Sequence, residues 1–177
     1  MRTIRSKIIA AALAGSAVIA GFAMPSQAAT DATFEIQGGL LNIVEPASTV
    51  DLGAVAAGSS SLTGALGDVT VNDDRGLLAP IWTATVSSTD FVTGTATAAE
   101  TVTTANITYA SGVGTALPGE IGVFVPLAAT ALSAPQTAGA WTGTGVNHVT
   151  WNPTLVFTLQ TEQTAGVYSG TVTHSVA

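Results

Sequence analysis

The sequence predicts an all-β fold, an antiparallel β-sandwich of about 8–10 strands with Greek-key-like connections. Three observations predict it. Val, Ile and Thr recur in short runs that alternate apolar and polar residues, the period of a strand with one buried face. Gly, Pro, Asn and Asp separate these runs, as residues in turns do. Because 47% of the residues are hydrophobic and none is cysteine, a packed core and not a disulfide framework must stabilise the chain.

The beginning of the chain predicts a secretory signal peptide. A basic start precedes an apolar run over residues 8–24, and small residues follow that suit cleavage after Ala28. The basic residues are Arg2, Arg5 and Lys7. The alternative, a membrane anchor, needs a longer and more apolar segment. We therefore expect a leader over residues 1–28, a single domain over residues 29–177, and a secreted or cell-wall-associated protein without a membrane span.

Removal of the leader changes the charge of the chain. Three of the four basic residues lie in the leader, so Arg75 alone remains against 11 Asp and Glu, a net charge of −10. Such a chain is repelled by nucleic acids and by anionic membrane surfaces. We expect no nucleic-acid partner.

Alternating runs place the strands in chain order. Strands are predicted at 33–36, 40–44, 69–72, 82–86, 106–110, 120–125, 154–159 and 168–176. Residues 128–131 suit a strand or a short helix. The Gly-rich segment 51–61 is predicted to be a loop with a short pairing segment, and 139–145 is predicted to be a loop that carries Trp141. Tyr168 follows a glycine turn, where sandwich domains use a tyrosine hydroxyl to hydrogen-bond back to the main chain.

The segment Val69–Phe91 contains a cluster of acidic residues and Arg75, the only basic residue after the predicted leader. It predicts a strand, a turn over Asp73-Asp74-Arg75-Gly76, and a second strand with Trp82, Ala84 and Val86 on one face. Arg75 is expected to form a bidentate, partly buried pair with a nearby acid.

No pattern predicts a catalytic site, and we expect a protein that is not an enzyme and has no cofactor. Asp73, Asp74 and Asp90 offer oxygen ligands that calcium accepts, but Arg75 competes for them and the spacing is not that of a calcium loop. A structural turn is the interpretation we favour. His148 and His174 lack the third ligand that zinc requires, so no metal site is expected.

The three tryptophans divide into two groups. Trp82 and Trp151 flank strand-like runs and are expected in the core. Trp141 lies among glycines and threonines, which predicts an exposed ring that contacts sugar or protein. In the alternative interpretation Trp141 folds back over the end of the sandwich. Trp141 and the region of Trp82 are our candidates for ligand binding.

Several residues stand in short motifs, one around the charged turn and one near the end of the chain, and we call them the motif residues. They are Asp73, Arg75, Gly76, Trp82, Phe91, Tyr168, Gly170 and His174. Val71-Asn72-Asp73-Asp74-Arg75-Gly76 with Trp82-Thr83-Ala84, and Tyr168-Ser169-Gly170 near the end, resemble the WxL domain. Such domains are secreted surface modules of Gram-positive bacteria that attach non-covalently to the cell wall, and the alanine-rich leader resembles the actinobacterial type. Two motifs diverge: Ala84 replaces the Leu of the first Trp-x-Leu, and His174-Ser175-Val176 stands in place of the second.

Three functions remain open on the sequence, and an extracellular hydrolase is the least favoured of them. The resemblance implies a secreted, non-enzymatic module that binds peptidoglycan, other cell-wall glycan or surface proteins. The alternative is a structural, adhesin-like subunit that assembles into a homo-oligomer through an exposed edge strand such as 168–176.

Overall fold

The computed structural model describes residues 31–46 and 49–177. The chain divides into two units, Met1–Glu35 and Ile36–Ala177, and every strand of the described residues lies in the second. The predicted leader and its cleavage site lie outside the described residues. The described part is mostly β, and its paired strands are antiparallel, as the sequence predicts.

Fourteen strands and two 3-10 helices make up the described part of the chain. The strands are β1 (Leu41–Val44), β2 (Ser61–Ala65), β3 (Val69–Asp73), β4 (Ile81–Ser88), β5 (Phe91–Val92), β6 (Thr101–Val102), β7 (Ile107–Ala110), β8 (Thr115–Ala116), β9 (Ile121–Pro126), β10 (Thr130–Ala131), β11 (Gln136–Thr144), β12 (Asn147–Trp151), β13 (Thr154–Thr158) and β14 (Val172–Val176). The 3-10 helices are Ala98–Glu100 and Thr104–Asn106.

These strands form three four-stranded sheets and one two-stranded sheet. Sheet A has the order β1-β3-β12-β8, sheet B the order β10-β7-β13-β2, and sheet C the order β14-β4-β11-β9. The pair β5-β6 stands apart. β14 and β9 are therefore the two edges of sheet C.

Three strands of sheet A are continuous in the chain with three strands of sheet B. β2 leads into β3, β7 into β8, and β12 into β13, and these strands are neighbours in the same order on both sides of the break. At the break, the N–H of Leu66 donates to the carbonyl of Pro153 at 2.9 Å, and Asn152 Nδ2 donates to Asp68 Oδ1 at 3.1 Å. Such breaks, together with several two-residue strands, raise the count of segments above the eight to ten expected.

One hydrophobic core receives side chains from sheets A, B and C. Its largest fully buried members are Trp82, Trp151, Tyr109, Ile107, Leu132 and Leu155. The predicted inner face of β4 is confirmed, because Trp82, Ala84 and Val86 are each at most 1% exposed. The core placement predicted for Trp82 and Trp151 is confirmed too. Sheets A and B contribute from one side and sheet C from the other, which is consistent with the predicted sandwich.

Two predicted segments are wrong. Residues 33–36 form no strand, and Phe34 and Ile36 are 89% and 84% exposed. Their alternation fits a strand locally, but a strand needs a neighbour, and no described segment pairs with them. Residues 139–145 are not a loop either: Gln136–Thr144 is the long central strand β11.

Candidate functional site

The centre of the charged turn is an ion pair between Arg75 and Asp73. Arg75 Nε donates to Asp73 Oδ1 at 2.8 Å and Nη2 donates to Oδ2 at 2.8 Å, so the contact is bidentate. The Asp73 side chain is fully buried, whereas that of Arg75 is 29% exposed. The predicted bidentate, partly buried pair is confirmed.

The pair continues into the core through two further side chains. Asn147 Nδ2 lies 3.5 Å from Asp73 Oδ2, and Trp82 Nε1 donates to Asn147 Oδ1 at 2.7 Å. Asp73, Asn147 and Trp82 belong to β3, β12 and β4, so the chain of contacts joins sheet A to sheet C. The hydrogen bond from Arg75 holds the pKa of Asp73 below its usual range, which keeps the buried carboxylate ionised.

The other two acids that were considered as calcium ligands, Asp74 and Asp90, do not converge with Asp73 on one point. Gly76 has φ +66°, a conformation that glycine adopts at little cost, and it lets the chain leave the turn. Asp74 contacts His148, whereas Asp90 Oδ1 accepts from the N–H of Thr104 at 2.8 Å. Among residues 31–46 and 49–177, no group of three or more His, Cys, Asp or Glu has a geometry suited to metal.

The prediction that Trp141 lies exposed in a loop is wrong. Trp141 is 2% exposed and stacks on Trp82 with ring centroids 6.5 Å apart. Its indole N–H has no acceptor within the described part of the chain. Since Trp82 is also buried, neither ring offers a face to a ligand, and the geometry does not support these two residues as binding anchors.

The glycines around Trp141 explain the error, because they make room for aromatic rings. A Cβ at Gly122 of β9 or Gly143 of β11 would collide with the Trp141 indole. A Cβ at Gly139 would collide with Phe124 in the same way. The sequence signal for a loop is in fact a signal for close packing beneath large side chains.

Three further motif residues, Phe91, Tyr168 and Gly170, lie close to one another. Gly170 lies so close to Phe91 that a Cβ there would enter the ring, and Phe91 packs edge-on against Phe157 at 4.9 Å. The Tyr168 hydroxyl donates to the carbonyl of Thr164 at 2.9 Å. The predicted tyrosine bond to the preceding main chain is confirmed. These motif residues therefore serve packing and turn geometry.

His174 forms a buried chain of hydrogen bonds that the sequence did not predict. Its Nδ1 lies 2.6 Å from Glu45 Oε1, and its Nε2 lies 2.9 Å from the hydroxyl of Tyr109, which accepts from Trp151 Nε1 at 3.1 Å. The three contacts fit one protonation state, in which His174 donates from Nδ1 and accepts from Tyr109. Although the order acid, imidazole, hydroxyl resembles a catalytic triad, the Tyr109 hydroxyl is fully buried and cannot reach a substrate.

Glu45 also closes the edge of sheet C at β14. Its Oε1 accepts the main-chain N–H of His174 at 2.7 Å, a group that points away from the paired strand β4. β1 lies beside β14 as well. The segment 168–176 therefore includes an edge strand, as predicted, but that edge is occupied and not free.

His148 forms a more exposed pair on sheet A. Its Nδ1 lies 2.7 Å from Glu120 Oε1, its Nε2 lies 3.1 Å from Asp74 Oδ1, and its main-chain N–H donates to Glu120 Oε2 at 2.8 Å. The hydrogen bond with Glu120, assisted by the negative charge of Asp74, raises the pKa of His148. Glu120, the residue before β9, is thereby turned away from the edge of sheet C.

β9 is the open edge of sheet C. On one side it pairs with β11, and no strand of the described residues lies on its other side. Since donors alternate along an antiparallel strand, and the N–H of Leu127 donates to the carbonyl of Ala138 at the end of this ladder, the N–H groups of Gly122 and Phe124 point outward. The side chains of Ile121, Val123 and Val125 are 70%, 64% and 60% exposed. A strand with free main-chain groups and an apolar face invites pairing with another strand.

Within the described ranges, the outer face of sheet C carries no charged side chain. Besides the three apolar residues of β9, it presents Ile81, Thr83, Thr85, Ser87, Thr137, Ala140, Thr142, Thr144, Thr173 and Ser175. All Asp and Glu of the described residues lie elsewhere. In a chain with 11 acidic residues this uncharged face, with β9 at its margin, is our candidate functional site.

A separate cavity of about 650 Å³ lies between residues 49–59 and 160–170. Its lining includes Phe91 and Phe157. Its two ionisable residues each make local main-chain hydrogen bonds: Asp51 Oδ1 accepts from the N–H of Gly53, and the Tyr168 hydroxyl donates to main-chain carbonyls. The cavity therefore offers a mainly apolar space with one carboxylate and one hydroxyl in its lining.

No helix within the described ranges is long and apolar enough to cross a membrane. Comparison of the chain with protein-family models, with curated proteins and with solved structures finds no match. The resemblance to the WxL domain therefore stays a prediction from the sequence.

Proposed function

We propose that this chain is a secreted, non-enzymatic structural subunit of the bacterial surface that self-associates through the β9 edge. Its body is a two-layered β-sandwich, with sheets A and B in one layer and sheet C in the other. The observation that carries the proposal is the free edge of β9 with its exposed residues Ile121, Val123 and Val125. The main-chain groups provide affinity, and the apolar side chains gain from being covered.

Charge limits which surface a second copy of the chain can approach. Two copies that each carry a large negative charge repel one another, so contact is opposed least at a surface that itself carries no charge. The edge of β9 meets that condition, because Glu120 is bound to His148 and none of the described acids lies on the outer face of sheet C.

Non-covalent binding to wall peptidoglycan remains the alternative, and it rests on the family resemblance. Its proposed aromatic anchors are Trp141 and Trp82, and both are buried. The exposed threonine hydroxyls on the outer face of sheet C are the groups left to contact a glycan.

Sedimentation velocity over a range of concentrations tests the proposal. We expect the wild-type chain to form oligomers, and Val123→Lys to raise the dissociation constant at least tenfold, because a lysine at an edge opposes strand pairing. Thr142→Lys is the matched control, since it adds the same charge to the same face one strand inside the edge. Added salt is expected to strengthen association, because it screens the net negative charge of the copies.

A wild-type chain that stays monomeric up to about 0.1 mM would contradict the proposal. Equal weakening by both lysine variants would place the contact on the face and not on the edge. Sedimentation of the monomer with isolated cell walls would favour peptidoglycan binding instead.

A further inference from the structure

The segment 31–37, which we call the N-terminal arm, has the pattern of a strand without a strand partner. Phe34 and Ile36 alternate with Thr33 and Glu35, yet the arm is unpaired among the described residues and its two apolar side chains are 89% and 84% exposed. A local pattern that conflicts with the fold of its own chain often marks a functional segment. The arm and β9 are thus two features that each lack a neighbouring strand.

The base of the arm is fixed to the body beside β1. The N–H of Gly39 donates to the carbonyl of Asp74 at 2.6 Å, and the N–H of Asp74 donates to the carbonyl of Leu40 at 2.9 Å. A Cβ at Gly38 would lie 2.5 Å from the carbonyl oxygen of Arg75, so only glycine permits this close approach. The charged turn therefore determines where the arm begins.

This base and the open edge lie on opposite sides of the body. β1 is the end strand of sheet A and lies beside β14, whereas β9 is the other edge of sheet C. Gly114, which precedes β8 at the far end of sheet A, packs against Phe124 of β9. A contact between such opposite sides joins copies head to tail, and it continues from copy to copy unless the rotation between them closes a ring.

We infer that the arm of one copy adds as a strand to the β9 edge of the next copy. The inference rests on the proposed association through β9 and names its partner. Phe34 and Ile36 lie beside the exposed face of Ile121, Val123 and Val125 in this pairing. The seven residues of the arm span about 23 Å when extended, which suffices for the full length of β9. Pairing stops at Pro126, which has no N–H to donate.

Substitutions in the arm test the inference on the full chain in the form that the host secretes. Phe34→Ser with Ile36→Ser removes the apolar pattern, and since both side chains are exposed the fold stays intact. We expect the dissociation constant for self-association to rise at least tenfold. Leu78→Ser is the matched control, because Leu78 is 89% exposed like Phe34 but lies outside the arm, and it leaves association unchanged.

Cysteine cross-linking identifies the contact directly, since the chain contains no cysteine. A preparation with Ile36→Cys is mixed with one carrying Val123→Cys and then oxidised, so that a mixed disulfide forms only between two copies. We expect the mixed dimer in high yield. Glu35→Cys mixed with Val123→Cys is the control, and its yield is several-fold lower because residue 35 points to the opposite face of the strand.

The outcomes separate the inference from the proposed function. If arm variants associate like the wild type while Val123→Lys does not, β9 pairs with another segment, the inference is overturned and the proposed function stands. If the wild-type chain is monomeric, both fail. A chain carrying both cysteines that forms the disulfide within a monomer shows that the arm covers its own β9, which also overturns the inference.

Discussion

Arg75 is held by two parallel hydrogen bonds to a carboxylate that solvent does not reach. Asp73 lies at the end of β3, and burying its charge is tolerable only because a guanidinium and Asn147 surround it. The contact also links the turn to Trp82 through Asn147. Arg75, the only basic residue after the predicted leader, therefore has a structural role.

Removal of the guanidinium is expected to destabilise the fold strongly. Arg75→Ala leaves Asp73 buried without a counter-charge, which costs about 3 kcal/mol of unfolding free energy. For a chain of this size the Tm falls by roughly 6–12 °C, measured by circular dichroism. Arg75→Lys is the control, because it keeps the charge without the bidentate geometry, and an intermediate loss is expected. A change below about one degree for Arg75→Ala would contradict this account.

The two histidines give the unfolding free energy opposite dependences on pH. The pKa of His148 is raised by Glu120, so its contribution is complete below the unfolded value of about 6.5 and is lost as pH rises through the folded pKa. Burial lowers the pKa of His174 against the opposing effect of Glu45, so its contribution is complete above about 6.5 and is lost as pH falls through the folded pKa.

His148→Gln should therefore reduce the dependence of the unfolding free energy on pH above about 6.5. We expect the wild-type unfolding free energy to decline by up to about 1 kcal/mol relative to the variant as pH rises from about 6.5 through the folded pKa. Chemical denaturation at a series of pH values measures the difference. Glu120→Gln should give the same reduction, because it removes the main cause of the raised pKa. Parallel pH profiles for wild type and His148→Gln would disprove it.

At the scale of elements, β9 and β11 alternate aromatic rings with glycines. The Trp141 indole covers Gly122 and Gly143, and Phe124 covers Gly139. This arrangement gives β9 a tightly packed inner face while Ile121, Val123 and Val125 remain exposed on the other. The edge strand is therefore held firmly in place while it presents an apolar surface.

A methyl group at Gly122 tests this packing. Gly122→Ala forces the Trp141 ring to move and is expected to cost about 1–3 kcal/mol of unfolding free energy. Denaturant titration measures it, with Val123→Ala as the control, since Val123 is 64% exposed and its truncation removes little packing. Equal stability of Gly122→Ala and wild type would show that the ring is not fixed there.

The two edges of sheet C differ in how their main-chain groups are treated. At β14 the carboxylate of Glu45 accepts the N–H of His174, and β1 lies alongside. At β9 the glutamate that precedes the strand is bound to His148 and leaves the edge open. Because edge strands in soluble proteins are usually protected, the unprotected one is the better candidate for assembly.

At the scale of the whole molecule, charge is distributed unevenly. The described acidic residues lie in the arm, in turns and near the ends of strands, and none of them lies on the outer face of sheet C or on the β9 edge. Net negative charge keeps copies apart in solution, and the uncharged edge offers the place where two copies can approach. Association through that edge is therefore expected to be selective.

Much of the fold could be predicted because strand patterns are local. The alternation of Trp82, Ala84 and Val86 determines a buried face wherever the strand pairs. The Arg75 pair was predictable as well, since its acid lies two residues away. The burial of Trp141 and the contacts of His174 with Glu45 and Tyr109 could not be predicted, because their partners are distant in sequence.

By itself, the sequence determined the all-β class, the buried face of β4, and the paired charges of the turn, because these follow from side-chain alternation and short-range spacing. Only the tertiary structure decided which edge of sheet C is free and which glycines lie beneath aromatic rings. It also left residues 33–36 without a strand partner among the described residues. The physical reason is that pairing and burial depend on neighbours brought together by the fold, and an alternating pattern specifies a face without specifying what lies against it.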